Sequence, residues 1–316
     1  MYTNSLKFYF RALYRITKSN IMKISRTSIP AAWTHYWAKN TEQPSHCLPD
    51  APPVVSELLQ TIWQQFFLTL PGKTKVLDLG TGNGTVLQTG HDTRTDLTLT
   101  GIDYVKSLPT IHDEITMMPG ISFEDLPFAN NTFGAVTSQF GIEYGDLSSA
   151  VTEFSRVTTD HASLLFVCHD TNSIIVEENR KRQTVLRHLL ANGGLISTTL
   201  KLIRQKKTTR PKGRRRLDHL LNTSLKRFPE HPVILEVADR IAQILVESAP
   251  LEKLLALRQD MLMEDQRINA LKKAALCANR AQDLTTTISG LKKNVNLEQI
   301  FIPGTTTPLA WKIHTQ

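Results

Sequence analysis

The chain predicts an α/β fold built on an open, doubly wound, largely parallel sheet, and three observations carry that expectation. The first is the run Lys75-Val76-Leu77-Asp78-Leu79-Gly80-Thr81-Gly82-Asn83-Gly84-Thr85, an apolar strand breaking into glycines at every second position. The second is Leu97 to Ile102, another strand, ending in Asp103-Tyr104. The third is the distribution of strand signals: they continue to Cys168, vanish from 173 to 287, and return from Asn294 to His314. Strands buried on both faces read as near-continuous apolar runs, and strands alternating with helical patterns make parallel sheets.

The glycine run is the centre of the design. Glycine adopts backbone angles that other residues avoid and holds no ligand away with a side chain. A helix is expected from about Asn83 to Gln88, stopping near Gly90, with its free N–H groups facing the same space. Strand, glycine turn and helix N-terminus together make a nucleotide-sized site. A dinucleotide site would place a glycine where Thr85 stands. The pattern is instead D-x-G-x-G-x-G, and its strand-end carboxylate, Asp78, suits an ammonium or sulfonium better than phosphates. Asp103, 25 residues on, stands where a carboxylate can accept hydrogen bonds from both ribose hydroxyls.

VLDLGTGNG resembles motif I of the class I S-adenosylmethionine-dependent methyltransferases, and GIDYV resembles their second motif. Ile121 to Phe128 with Asn130-Asn131-Thr132-Phe133 is similar to the family's loop beside the adenine. Ser122 and Gly134 stand there in place of two family aspartates. Glu124 or Asp125 could replace the first, and the backbone N–H groups of 123 to 125 could still read the ring. SQFGIEYGDLSSAVTEFSRV resembles a stretch of the ubiquinone/menaquinone C-methyltransferase type, although Thr158 to His161 replaces its usual KPGG turn. The resemblance covers about 54–170 and 288–316. It implies a Rossmann-like seven-stranded sheet whose closing strand, PLAWKI, is antiparallel. It implies S-adenosyl-L-methionine as cofactor, held by Asp78, Gly80, Thr81, Gly82, Gly84, Asp103, Tyr104, Glu124, Asp125, Leu126, Gln139 and Phe140. Glu143 and Tyr144 would face the substrate side. His169, at the carboxyl end of strand five, is a candidate general base, since an unperturbed imidazole suits proton removal near neutrality; a hydrogen-bonded structural histidine is the alternative.

The chain divides accordingly into an N-terminal extension (1–53), the cofactor-binding core (54–170), a helical insertion between strands five and six (171–287) and closing strands (288–316). Residues 54–69 predict an amphipathic helix ended by Pro71-Gly72. The cluster Trp33-Thr-His-Tyr36-Trp37 either packs or folds over the cofactor, and packing is the commoner fate. Within the insertion, helices are expected over 174–190, 195–205, 232–248 and 251–283. The net charge of +8 belongs to one segment: residues 179–217 hold thirteen Lys or Arg and no acid. Nine of these fall in 201–216, a run expected to be an exposed loop because like charges repel. An acidic acceptor, RNA or an anionic membrane surface would be drawn to it.

Residues 1–41 hold no acid, and Lys7, Arg11, Arg15 and Lys18 alternate with apolar residues. Three readings fit the first 21 residues equally: an organelle transit peptide, a membrane-surface helix, or sequence upstream of a start at Met22. Cys47, Cys168 and Cys277 are far apart and no C-x-x-C occurs, so neither a disulfide framework nor a metal site is expected and a reducing, cytoplasmic compartment fits. No apolar run approaches the ~18 residues of a membrane span. The function expected first is methyl transfer to a small-molecule acceptor. An RNA methyltransferase using the basic segment is the second reading, ranked lower because aromatics do not interleave the charges. A non-catalytic cofactor-binding protein on the same fold is the third.

Overall fold

The computed structural model describes residues 28–39, 51–204, 210–229, 231–291 and 294–315. The expectations for residues 1–21 and for Cys47 lie outside these. The elements in chain order are α1 (Ser28–Lys39), α2 (Pro53–Thr69), β1 (Lys75–Leu79), α3 (Thr85–Thr93), β2 (Thr98–Asp103), β3 (Ile115–Pro119) and β4 (Phe133–Gln139). A 3-10 turn (Ile142–Tyr144), α4 (Leu147–Val157) and β5 (Thr158–Cys168) follow. Then come α5 (Ile174–Leu190), α6 (Leu195–Arg204), α7 (Arg210–Arg227), α8 (Pro232–Val246), α9 (Pro250–Ala274), α10 (Ala278–Ser289), β6 (Val295–Phe301) and β7 (Pro308–Thr315).

One seven-stranded sheet runs in the order β3-β2-β1-β4-β5-β7-β6. Each neighbouring pair from β3 to β5 is parallel, while β7 lies antiparallel between β5 and β6. The strand order reverses beside β1, and the crevice at such a switch point is where open α/β sheets bind ligands. This is the Rossmann-like sheet expected, with the helical insertion between β5 and β6.

Each face of the sheet has its own apolar layer. On one, Val55, Leu59, Trp63 and Phe67, four residues apart along α2, pack with Val86 and Leu87 of α3 and with Val76, Leu99 and Ala135 of the sheet. On the other, Val151 and Phe154 of α4 and Leu284 and Ile288 of α10 cover Leu77, Leu79, Val136 and Phe166. A third cluster, including Leu186, Ile196, Ile234, Ile241, Leu254 and Ile268, belongs to the insertion alone. The insertion therefore has its own core.

Four expectations change. The helix after the glycine turn runs through Gly90 to Thr93. Gly90 is there for close packing: a Cβ on it would meet the Phe67 ring at 2.9 Å. The helix expected over 251–283 is two, α9 and α10, broken at Leu276. Leu276 N–H donates to His169 O (2.7 Å), and its carbonyl accepts from Thr171 N–H (3.1 Å) and Trp311 Nε1–H (3.0 Å). These bonds pull the chain back to the sheet, so α10 covers the core and is not part of the insertion's bundle. Strand five begins at Thr158, directly after α4, where a KPGG-type turn would have stood.

The fourth change concerns the basic segment. Its end is helical: α7 holds Pro211, Gly213 and Arg214-Arg215-Arg216. Pro211 stands in the first turn, where a missing N–H costs nothing. Leu217, Leu220, Leu221 and Leu225 recur at helical spacing and pack on the third cluster. Fully burying a leucine contributes ~1.5–3 kcal/mol, so even these half-buried ones outweigh a like-charge pair on an exposed helix face, which costs only ~0.2–0.5 kcal/mol. The apolar stripe therefore wins over charge repulsion. Residues 205–209 lie outside the described residues.

Candidate cofactor site

Gly80, Gly82 and Gly84 all take left-handed backbone angles, with φ of 69°, 55° and 78°. At Gly80 a Cβ would also strike backbone, 2.9 Å from Gly141 Cα. The turn therefore needs glycine both for its backbone angles and for its close approach to the next strand's loop. Beside it lies a cavity of about 400 Å³, within the usual range for ligand pockets. Of the residues expected at the site, Asp78, Gly80, Thr81, Asp103, Tyr104, Glu124, Gln139, Phe140 and Tyr144 line it. Gly82 and Gly84 shape the turn.

The electrostatics are acidic. Asp78 is fully buried, and Thr137 Oγ1–H donates to its Oδ1 at 2.8 Å. Burial outweighs that bond and pushes its carboxyl up to about 6, with Asp103 adding a smaller push. Asp103 is positioned by two backbone groups: Gly82 N–H donates to Oδ2 (2.9 Å) and Val105 N–H to Oδ1 (3.0 Å). Burial also raises its carboxyl above the usual range. Each oxygen keeps a second lone pair for a ligand hydroxyl. Replacing it, Asp103→Ala, is expected to weaken cofactor affinity by ~1.5–3 kcal/mol, the range for hydrogen bonds to a charged group. Calorimetry showing unchanged affinity would remove Asp103 from the ribose role.

At the Gln139 side of the cavity, Trp63 Nε1–H donates to Gln139 Oε1 at 2.6 Å and fixes that amide. Phe140 holds φ of 53°, a left-handed conformation unusual for a bulky residue and of the kind that clusters at ligand sites. Its N–H donates to Val167 O at 2.7 Å.

Several expected residues fall elsewhere. Leu126 is buried with its N–H on Glu153 Oε2 (2.8 Å), and Asp125 is exposed; neither lines the cavity. The backbone N–H groups of Glu124 and Asp125 are donated to Ser122 Oγ (3.1 Å) and Ser122 O (3.2 Å). These two amides are thus engaged within their own turn, and Ser122 itself lines the cavity. Glu143 and His169 are fully buried behind its wall. His169 Nδ1 lies 2.7 Å from Glu143 Oε1, which also accepts the His169 N–H at 2.9 Å. The Phe140 ring, which does line the cavity, stacks on His169 with centroids 4.2 Å apart. A side chain in that second layer meets an acceptor only if Phe140 moves.

Sequence reasoning ranked the aromatic cluster as packing, yet Trp33 and Trp37 line the cavity. Trp37 crosses the glycine turn: a Cβ on Gly82 would lie 2.7 Å from its ring. Trp33 stacks on Trp37 (6.2 Å) and meets Tyr144 edge-on (5.2 Å). The helix α1 that carries them is held by α9 of the insertion. The Arg267 guanidinium lies over Tyr36 (4.9 Å) and Trp33 (5.6 Å), and His35 meets Asp260 at 3.1 Å. No local motif marked Arg267 or Asp260, because their roles depend on long-range packing. Gly141 was likewise missed, although a Cβ there would lie 2.6 Å from Leu79 O.

Residues 77–166 match the family model described as a methyltransferase domain. The matched segment spans β1 to β5 and includes the glycine turn. No curated protein matches the chain significantly. Among matching solved structures is a chain from the complex of the Haloferax volcanii Trm112 methyltransferase activator with a methyltransferase. It is 22% identical, with 40% of this chain and 58% of that chain covered and a TM-score of 0.31. Another is the geranyl diphosphate C-methyltransferase of Streptomyces coelicolor A3(2), at 14% identity, 36% and 44% coverage and a TM-score of 0.32. A third is a S-adenosylmethionine dependent methyltransferase of Mesorhizobium loti, at 16% identity, 35% and 55% coverage and a TM-score of 0.31. The chain thus spans about half the length of these proteins. Among the described residues, no helix is long and apolar enough to cross a membrane.

Proposed function

We propose that the chain is a S-adenosylmethionine-dependent methyltransferase acting on a small-molecule acceptor. The observation that supports this most is the joining, in one cavity, of the left-handed glycine turn, the buried carboxylate Asp78, the half-buried carboxylate Asp103 and an aromatic wall of Trp33, Trp37, Phe123, Phe140 and Tyr144. The residues fit the cofactor. Gly80 of the glycine turn lines the cavity, Asp103 is aimed by two amides, and Asp78 offers negative charge to an ammonium. When bound, the cofactor supplies the electrophilic methyl group on its sulfonium. The chain's own part is orientation and exclusion of water. Gln139 and Phe140 border the reactive end, Tyr144 faces the acceptor side, and Trp33 and Trp37 cover the opening. Aromatic faces also favour a cation beside them. Labelled methyl transfer from S-adenosylmethionine into cell extract tests the proposal. Tight cofactor binding with no labelled product in any substrate class would favour the non-catalytic reading.

We separately propose a polyanionic partner, and the cations left without an acidic partner are its candidate surface. Arg182 and Arg187 pair with Glu264 (3.3 Å) and Asp265 (2.6 Å), and Lys181 with Glu178 (2.8 Å). Among the described residues, no ion pair involves Lys201, Arg204, Lys212 or Arg214 to Arg216, all exposed on α6 and α7. None of these lines the cavity, so an acceptor inside it would not meet them. A partner large enough to lie along two helices, such as RNA or an anionic membrane surface, suits them better than a small acid. Changing Arg214, Arg215 and Arg216 to Ala is expected to weaken retention on heparin or anionic vesicles and leave cofactor affinity unchanged. Wild-type retention should fall steeply with salt. Salt-independent retention, or an equal loss of cofactor affinity, would mean that these residues serve the folded site instead.

A further inference from the structure

A cluster of metal-ligating side chains lies outside the cavity. His91 is in the last turn of α3, while His112 and Glu114 stand on the loop between β2 and β3. One ligand atom from each lies within 4.8 Å of the other two. The two imidazoles face one another with centroids 4.0 Å apart and planes inclined by 35°. His91 Nδ1 and Glu114 Oε2 are 3.7 Å apart, too far for a hydrogen bond. Zinc binds nitrogen at about 2.0–2.1 Å and carboxylate oxygen at about 2.0–2.2 Å, so neighbouring ligands in a tetrahedron stand roughly 3.3–3.5 Å apart. The separation is close to that of two ligands around one ion.

We propose that His91, His112 and Glu114 form a divalent transition-metal site, with zinc the ion their chemistry fits best. Two imidazoles and a carboxylate suit zinc, whereas magnesium and calcium take oxygen ligands. Water completes the tetrahedron, because His112 and Glu114 are exposed. Loading requires one rearrangement. His112 Nδ1 accepts the Glu114 N–H at 3.2 Å, and one lone pair cannot serve both that bond and the ion. The imidazole therefore gives up this long bond or turns to offer its other nitrogen.

The ion would tie the loop to α3 at a useful place. The loop starts at Tyr104 and Val105, which line the cavity. Ile111, just before His112, already packs at the other end of α3: a Cβ on Gly84 would lie 2.5 Å from Ile111 Cδ1. Metal at His112 fixes the loop at a second point along the same helix. The role is structural, distinct from the methyl-transfer site, and does not rest on that reading.

Titration of the tag-free, full-length chain with cobalt(II), followed by zinc, tests this. Expected is one equivalent of cobalt per chain with the intense visible absorption of a four-coordinate ion, bleached by zinc. Zinc should also slow amide exchange across residues 106–114. H91A and H112A should each weaken binding by at least tenfold, with E114Q following the same direction. The metal-free melting temperatures of H112A and E114Q should match wild type, since both side chains are exposed, and H91A, whose side chain is largely covered, is titrated below its own melting temperature. Cobalt absorption that survives in H91A/H112A, or no bound metal at micromolar concentration in wild type, would overturn the proposal. So would a weak, octahedral-type cobalt spectrum.

Discussion

Asp78→Asn should make the ligand-free protein more stable and its cofactor binding weaker. The carboxyl is fully buried and stands at about 6, raised from its usual 3.8 by desolvation. A group whose folded value is raised favours the protonated form of the native state. Its contribution is thus fully present below pH 4 and is lost as pH climbs through about 6. At pH 8 the ionised side chain costs the empty protein on the order of 3 kcal/mol, from ~1.4 kcal/mol per unit. Asparagine keeps an oxygen to accept the Thr137 hydroxyl (2.8 Å in the native protein) and carries no charge to desolvate. The variant should therefore unfold at higher urea than wild type at pH 8, and the gap should close towards pH 4. Affinity moves the other way. A cationic ligand draws its binding energy from the ionised carboxylate, so Asn should cost roughly tenfold to a hundredfold, on the ~1.5–3 kcal/mol scale of charged hydrogen bonds. Wild-type affinity should likewise fall as pH drops below 6. An Asn variant that is less stable at pH 8, or that binds the cofactor undiminished, would show that Asp78 serves the fold and not the ligand.

What the sequence made legible follows from where each contact lies along the chain. The glycine turn was readable because the three left-handed residues stand within five positions of one another and only glycine takes those angles without strain. Asp103 was readable because the length of a strand-helix-strand unit fixes its place. The insertion's first helix was readable to the residue, Ile174–Leu190, because Ser173 caps it by accepting the Val176 N–H. The basic helix was misread because charge density was weighed without the leucine stripe beneath it. The break at Leu276 was missed for a different reason: its bonds go to His169, Thr171 and Trp311, distant in sequence. The cover on the cavity, Trp33 and Trp37, depends on Arg267 some 230 residues later, and no local pattern announces such a contact.

Removing either half of the Glu143–His169 pair is expected to lower stability and cofactor affinity together, without altering the pH dependence of methyl transfer. Both side chains are fully buried. Glu143 Oε1 takes the His169 ring N–H and backbone N–H. Among the described residues, Glu143 Oε2 and His169 Nε2 have no hydrogen-bond partner. Leaving one member of such a pair alone in the interior costs about 3 kcal/mol. The pair lies under Phe140, whose ring stacks on the imidazole at 4.2 Å and forms part of the cavity wall. Loss of the imidazole would let Phe140 leave its left-handed conformation and loosen the reactive end. Under the proposed function this geometry makes His169 a positioning residue behind Phe140. His169→Asn should then lower the urea midpoint and weaken cofactor binding by calorimetry, while the pH–rate profile keeps its wild-type shape. A general base predicts the reverse pattern: near-normal cofactor binding, a kcat reduced by about 10²–10⁴, and a pH–rate profile of altered shape. If that reverse pattern is observed, Phe140 moves aside during turnover and His169 reaches the acceptor.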